Sequence, residues 1–185
     1  MAFFGWWSKR EADSGTTAWR ERWAAAVARL DGEALADLEA ALKATPPLAD
    51  DLEIEEEMLD GLRQLLALER NLAAGALPAI ETAHRVVGTD RCHFSAPVSI
   101  PDDLAQPTGR LLLTSSRAAF AGGTRAPSLP WHGVRDVVQT GRDLLLVSSR
   151  GPDELQRFRC NSYGEAMCAA AIARHLAARA RTRQL

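Results

Sequence analysis

Residues 109–122 read GRLLLTSSRAAFAG, and this stretch decides how the second half of the chain folds. Residues 109–114 and 117–121 are short and mainly apolar, which is typical of strands, and Ser115-Ser116 joins them tightly. Gly109, Gly122 and Gly123 are expected to permit tight turns, since glycine adopts backbone conformations that other residues avoid. The stretch therefore predicts an antiparallel β-hairpin.

Further short strands are predicted on both sides of this hairpin. Before it, Cys92, Phe94 and Ala96 alternate with polar residues, as along a half-buried strand. After it, strands are predicted at 134–140, 144–148 and 155–160, with turns between them. An Ala-rich helix follows at about 163–179, with an apolar face formed by Ala166, Ala169/Ala170, Ile172/Ala173 and Leu176. Strands at this spacing indicate an antiparallel meander closed by one helix.

The order of these motifs resembles GRAM and bacterial PH-like (pleckstrin-homology-like) domains over roughly residues 90–179. The hairpin is similar to their G-x-L-x-L-T-x-x-R-x-x-F motif, and LPWHGVRDV at 129–137 is similar to the Pro-Trp turn and strand that follow it. The resemblance implies a bent antiparallel sheet of about seven strands, with its open end closed by the C-terminal helix. Trp131 is expected in the core, with ligand stacking as the alternative.

The first half of the sequence predicts helices. Apolar residues recur at helical spacing after Thr16 or Thr17, then over 35–42, and then over about 50–74. The third helix begins with a run of acidic residues between Asp50 and Asp60. We therefore expect an α+β chain with an aromatic and basic flexible segment at 1–15, a helical domain at 16–87 and a PH/GRAM-like domain at 88–185.

Charge is divided unequally along the 185 residues, whose net charge is −2. Residues 1–104 carry 10 Lys and Arg against 19 Asp and Glu, and residues 105–185 carry 12 Arg against 5 acids. Opposite charges hold the two halves together or steer separate partners. No apolar run approaches the roughly 20 residues of a membrane span, and the start does not resemble a secretory signal. A cytoplasmic protein is predicted, with membrane association as the alternative.

The sequence contains few candidates for catalytic, metal-binding or phosphate-binding residues. Cys92-His93, Cys160 and Cys168 lack the spacing of a zinc site, and no motif surrounds a nucleophile or cradles a phosphate. The loop at 97–108, where phosphoinositide-binding relatives carry basic residues, holds Asp102 and Asp103 and no Lys or Arg. We therefore expect no catalytic, metal or cofactor site, no phosphoinositide site of that type and no nucleic-acid partner.

The N-terminus is the main candidate for a contact surface. Phe3, Phe4, Trp6 and Trp7 precede Lys9 and Arg10, a combination that inserts at a lipid interface, fills a partner's groove or folds back onto the protein. The leading hypothesis is a non-catalytic adaptor that binds a protein partner, or itself, through the PH-like domain and the acidic helical unit. The alternatives are a peripheral membrane protein, recruited by the aromatic N-terminus and the basic C-terminal half, and an uncharacterised enzyme.

Overall fold

The computed structural model describes residues 4–44, 52–105, 107–122, 128–149 and 155–182, with side chains from residue 15 onward. The helices are α1 (Phe4–Arg29), α2 (Glu33–Ala44), α3 (Glu53–Ala73) and α4 (Tyr163–Thr182). The strands are β1 (Cys92–Ser99), β2 (Thr108–Thr114), β3 (Arg117–Ala121), β4 (Ser128–Pro130), β5 (Val134–Thr140), β6 (Asp143–Ser148) and β7 (Leu155–Cys160).

By its internal contacts the chain divides into two compact units, Met1–Ala67 and Leu68–Leu185. The division lies inside α3, and the domain boundaries suggested by the sequence at 16 and 88 stay predictions. None of the helices in the described ranges has the length and apolar character needed to span a bilayer.

Two tryptophans of α1 hold the helical unit together. The indole Nε1 of Trp19 donates to the carbonyl of Leu38 on α2 at 3.0 Å, and that of Trp23 donates to the carbonyl of Met58 on α3 at 2.7 Å. Both rings are buried, so each adds apolar area to the core and satisfies its only polar atom. Helical spacing predicts one apolar face with Trp19, Trp23, Val27 and Leu30; the two tryptophans are buried there, whereas Leu30 is 42% exposed.

Helix α1 begins earlier than predicted. Its first residue is Phe4 rather than a residue next to Thr16, so Gly15 lies within the helix. The turn formers at 13–15 do not stop it, because a glycine inside a helix costs only about 1 kcal/mol. The helix ends where expected: Leu30 adopts a left-handed φ of 53°, and the Asp31 carboxylate caps α2 by accepting from the backbone N–H groups of Glu33 and Ala34.

The second unit contains one antiparallel sheet with the strand order β4-β3-β2-β1-β7-β6-β5. Strand β1 pairs with β7 only at Val98 and Ser99, whereas it pairs with β2 along its whole length. Phe120 of β3 and Phe158 of β7 stack with ring centroids 6.3 Å apart, although two strands separate them in the sheet. The sheet is therefore strongly bent around its core.

Helix α4 packs against this sheet. Its predicted apolar face is confirmed, since the buried residues include Ala166, Ala169, Ala170, Ile172 and Leu176. The alanines leave little side chain between helix and strands, which allows the helix to approach closely. Ser162 caps the helix by accepting from the N–H of Glu165, and the Glu165 carboxylate accepts from the N–H of Asn161. Seven antiparallel strands with this packed helix form the PH-like α+β fold that the sequence predicts.

Gly109 and Gly122 have a role other than the one expected from the sequence. Neither has a positive φ; instead the backbones of β2 and the end of β3 approach closely beneath the Phe120 ring. A Cβ on Gly109 would lie 2.5 Å from the Ala121 carbonyl oxygen and 2.8 Å from the Gly122 Cα. Close packing, rather than a tight turn, requires glycine at both positions.

Candidate functional site

The side chain of His93 is buried, and strand β1 is irregular at this residue. The register against β2 shifts between Cys92 and Phe94, as in a β-bulge, and both Cys92 and His93 are buried. The alternation of buried and polar side chains predicted along this strand fails at His93, whose side chain is buried. The bulge adds one residue to β1 at this point.

Both ring nitrogens of His93 are occupied. Nδ1 lies within hydrogen-bond distance of the Pro78 carbonyl oxygen, and Nε2 lies 2.9 Å from the Ser115 hydroxyl. Because a carbonyl only accepts, Nδ1 carries a proton and donates to it. His93 therefore ties the β2–β3 turn to the segment that precedes β1.

The β2–β3 turn is held by further hydrogen bonds. The N–H of Ser115 donates to the Arg91 carbonyl at 2.9 Å, and the hydroxyl of Ser116 donates to the Asp90 carboxylate. The indole of Trp131 donates to the Thr114 carbonyl at 2.7 Å, and Trp131 is 1% exposed. The expectation that Trp131 is a core residue is confirmed, and its indole braces this turn.

A concavity of about 560 Å³ lies beside the turn, and we call it the turn pocket. Its walls come from the segment before β1, the β2–β3 turn, the 3-10 turn at Trp131–Gly133 and the last part of α4. Its polar lining residues are Arg91, His93, Ser115, Ser116, His132 and Arg179. No acidic residue is among the described residues that line it, so the pocket carries positive charge.

A second candidate surface is the outer face of β5, β6 and β7. Val138 lies opposite Leu145, and Val147 lies opposite Leu155, so these four aliphatic side chains adjoin on one face of the sheet. Val138 is 39% exposed and Leu155 is 42% exposed. We call these four residues the outer patch.

Charged side chains border the outer patch. Asp143 of β6 accepts from Arg159 Nε at 2.8 Å and from Arg157 Nε at 2.9 Å, and Arg157 also reaches Asp102 at 3.3 Å. Hydrogen bonding from Arg159, followed by that from Arg157, holds the pKa of Asp143 below its usual value despite burial. The predicted acidic loop thus contributes Asp102 to a compensated network of two cations and two anions.

At the centre of the edge strand β5, the backbone carbonyl and N–H of Val137 are hydrogen-bonded to side chains. The Val137 carbonyl accepts from Arg174 Nε of α4 at 3.2 Å, and the Val137 N–H donates to the Asp136 carboxylate at 2.8 Å. An added strand would have to displace both side chains to pair with Val137. This edge is therefore closed to strand addition at that residue.

The thiols do not form a reactive cluster. Cys160 lies opposite Val98, six residues along β1 from Cys92, which is about 20 Å at the rise of a strand. Burial raises the pKa of Cys160 to about 12 and that of Cys168 to about 11, and burial also raises the pKa of Cys92. These thiols are protonated at neutral pH and are poor nucleophiles.

The candidate contact residues of the N-terminus lie outside what the structure describes. Phe3 is not described, and the side chains of Phe4, Trp6, Trp7, Lys9 and Arg10 are not described, although their backbone belongs to α1. Within the described ranges, no group of three or more His, Cys, Asp or Glu side chains is placed to hold a metal ion.

Neither the turn pocket nor the outer patch was predicted from the sequence. The pocket draws residues from four separate segments, and only the pairing of β1 with β2 and the packing of α4 bring them together. The outer patch was visible only in part, as alternate apolar residues in strands predicted at 134–140, 144–148 and 155–160. A pattern of alternation does not say which face the helix covers.

No model of a known protein family matches the chain. No curated protein matches it either. Solved structures do resemble it: the DH/PH fragment of PDZRHOGEF, in complex with human RhoA, matches with a TM-score of 0.42 and 13% identity over 90% of this chain and 54% of that chain.

Two other solved structures are similar over about half of the chain. The FERM and C-terminal domain complex of Drosophila Merlin matches with a TM-score of 0.43 and 9% identity, covering 49% of this chain and 30% of that one. The C-terminal domain of an unknown protein from Leishmania infantum has a TM-score of 0.42 and 11% identity, covering 50% of this chain and 89% of that one. The PH-like assignment of the second unit rests on its own strand order and helix.

Proposed function

We propose that this chain is a non-catalytic adaptor whose sheet unit binds a protein partner on the outer patch. The observation that carries the proposal is the contiguity of Val138, Leu145, Val147 and Leu155 on a face that the sheet leaves exposed. Clustered exposed aliphatic side chains mark interaction sites more often than scattered ones do. The Arg157–Asp143–Arg159 network next to them supplies the polar rim that such interfaces carry.

Binding through the face is favoured over strand addition at β5. The edge groups of Val137 are already bonded to Arg174 and Asp136, so an incoming strand gains little there. The face requires no such displacement, because Val138 and Leu155 are already open to solvent. The proposed partner therefore presents apolar side chains to this face rather than an extended strand to its edge.

A protein partner is also favoured over an anionic membrane at this surface. Arg157 and Arg159 are balanced by Asp143 and Asp102, so the rim offers little net attraction to acidic lipids. The membrane alternative rests on the aromatic N-terminus, whose side chains at residues 3–10 lie outside what the structure describes, and on the basic C-terminal half. We also propose that the protein is cytoplasmic, that its sheet unit is of the bacterial GRAM-like subtype, and that the acidic helical unit contributes to binding. In that unit the side chain of Asp60 is 63% exposed.

Photo-crosslinking followed by a binding measurement tests the outer patch. A photoreactive residue at Leu155 in the full chain should capture a partner that the same residue at Leu104, fully exposed in the β1–β2 loop, does not capture. The purified partner should then bind the Val138→Asp/Leu155→Asp variant about 10-fold to 100-fold more weakly than the unmodified protein. Leu104→Asp is the matched control and should bind normally.

Three results would reject the proposal. One is equal capture from positions 155 and 104, and another is unchanged affinity of the folded double variant. The third is sedimentation with vesicles of phosphatidylcholine and phosphatidylserine that depends on residues 1–15, without any partner crosslinked at 155. Capture of a second copy identifies self-association, and light scattering must then show a mass that falls in the double variant.

A further inference from the structure

The turn pocket contains three side chains whose hydrogen-bond donors have no partner in the described part of the chain. The guanidinium groups of Arg91 and Arg179 and the imidazole of His132 all line it, and all three residues are exposed. Among the described residues, none of these side chains makes a hydrogen bond or an ion pair. The lining thus presents two permanent positive charges and an imidazole, while the Asp90 carboxylate, which does not line the pocket, is bonded to the Ser116 hydroxyl.

The hydroxyl groups of Ser115 and Ser116 also line the pocket, but their protons are already used in hydrogen bonds within the protein. Ser115 has one hydroxyl proton, and both His93 Nε2 at 2.9 Å and the Arg91 carbonyl at 3.4 Å compete for it. The proton of the Ser116 hydroxyl goes to the Asp90 carboxylate. Recognition of a ligand therefore falls to Arg91, His132 and Arg179, which line the pocket from the segment before β1, the 3-10 turn and α4 respectively.

We infer that the turn pocket binds the phosphate monoester group of a small organic molecule. Two guanidinium groups match the double negative charge of such a phosphate and its several acceptor oxygens. The volume of about 560 Å³ is in the range of small-molecule sites and exceeds the need of a bare phosphate ion. Leu77, Trp131 and Leu176 add apolar wall for the organic part of the ligand.

The location separates this pocket from both other surfaces discussed. It lies at the start of β1, whereas the loop predicted at 97–108 begins only after Ser99, at the far end of that strand, and its sequence lacks basic residues. It shares no residue with the outer patch, so the inference stands or falls independently of the proposed adaptor function. The pocket and the patch would allow a small phosphorylated ligand and a protein partner to bind together.

A simpler role for Arg179 is neutralisation of the C-terminal end of α4. Arg179 and Arg181 both lie in the last turn of this helix, where positive charge is favourable. Arg181 does not line the pocket. Arg181→Gln is therefore a control that removes the same charge from the same turn without touching the proposed site.

Titration of the full chain with phenyl phosphate, followed by backbone amide NMR shifts, tests the inference. We expect saturable shifts at Arg91, Ser115 and His132, and affinity about 10-fold lower in Arg91→Gln and in Arg179→Gln. Arg181→Gln should bind as the unmodified protein does. Inorganic phosphate should bind more weakly than phenyl phosphate, since it leaves the apolar wall uncovered.

Every other outcome overturns the inference. Absence of saturable shifts, equal losses in Arg179→Gln and Arg181→Gln, or binding unaffected by Arg91→Gln would each remove the site. Sedimentation with vesicles of phosphatidylcholine and phosphatidic acid, without binding of phenyl phosphate, would replace the small ligand with a membrane surface. Circular dichroism of each variant ensures that a loss of binding is not a loss of fold.

Discussion

Gly109 and Gly122 face each other so closely that a Cβ on Gly122 would lie 2.9 Å from the Gly109 Cα and 2.8 Å from the Phe120 ring. Gly109→Ala should therefore lower the free energy of unfolding by about 1–3 kcal/mol, because the backbone of β3 has no room to move without shifting the core. Chemical denaturation measures the change. Gly133→Ala is the control, since its nearest side-chain atom is 3.6 Å away, and an equal loss there would contradict the packing argument.

Replacement of Asp143 by Asn should destabilise the protein by about 1–3 kcal/mol at neutral pH, because two arginines lose the charge of a buried acceptor. The pKa of Asp143 is lowered in the folded state. Its contribution is therefore present above the unfolded value of about 3.9 and is lost as the pH falls below it.

The stability difference between Asp143→Asn and the unmodified protein should thus be constant from about pH 7 to pH 5 and shrink toward pH 3. Asp102→Asn provides the comparison, since that carboxylate is 53% exposed and pairs with the same Arg157. We expect Asp102→Asn to lower the free energy of unfolding by less than about 1 kcal/mol. A difference for Asp143→Asn that persisted at pH 3 would assign the effect to packing rather than to charge.

Alkylation should be slow at all three cysteines in the folded protein. At pH 8, Cys160 with a pKa of about 12 and Cys168 with a pKa of about 11 hold very little thiolate. Iodoacetamide should therefore modify them about 100-fold or more slowly than in denaturant, where the pKa returns to about 8.5. Mass spectrometry of the labelled peptides gives each rate, and rapid modification of native Cys160 would revive an enzymatic role.

Leu30→Gly should stabilise the helical unit. Leu30 has a φ of 53°, which costs a residue with a Cβ about 1 kcal/mol relative to glycine, and its side chain is 42% exposed. The midpoint of thermal unfolding should rise. Ala24→Gly, at an exposed position inside the helix, should lower it by a similar free energy, and a fall in both variants would mean that the Leu30 side chain contributes more than its exposure indicates.

Thr114→Val should be costly although it preserves the shape of the side chain. The hydroxyl is fully buried; it has the Asp90 carboxylate and the Arg117 carbonyl within hydrogen-bond distance, and it accepts from the Arg117 N–H at 3.2 Å. Leaving these partners unsatisfied should cost about 2–3 kcal/mol. Thr140→Val, at an exposed position of β5, should leave the unfolding midpoint nearly unchanged.

Structural features that depend on neighbouring residues in the chain could be predicted from the sequence. The hairpin at 109–122 and the apolar face of α4 follow from residue spacing and were predicted, and the burial of Trp131 was expected from its large ring in the Pro-Trp turn. The bulge at His93 was not, because it depends on pairing with β2 rather than on the residues of β1 themselves. The Asp143–Arg159 contact also escaped, since no periodic pattern links residues that meet only when β6 and β7 pair.

The candidate sites show the same limit. Arg91 and Arg179 are unremarkable among the many arginines of the second half until the fold brings both to the turn pocket. The closure of the β5 edge depends on Arg174 of α4, which reads in the sequence only as a polar residue of a helix. The aromatic N-terminus, prominent in the sequence, stays a prediction.

The late position of α4 governs when the sheet unit can form during synthesis. Strand β7 reaches β1 only through Val98 and Ser99, and the core behind it is completed by α4. A ribosome that has released β1 to β6 therefore carries a sheet whose apolar interior is still open to water. We expect this unit to fold only after residue 182 has left the exit tunnel, so nascent chains stalled earlier should depend on chaperones that cover apolar surface.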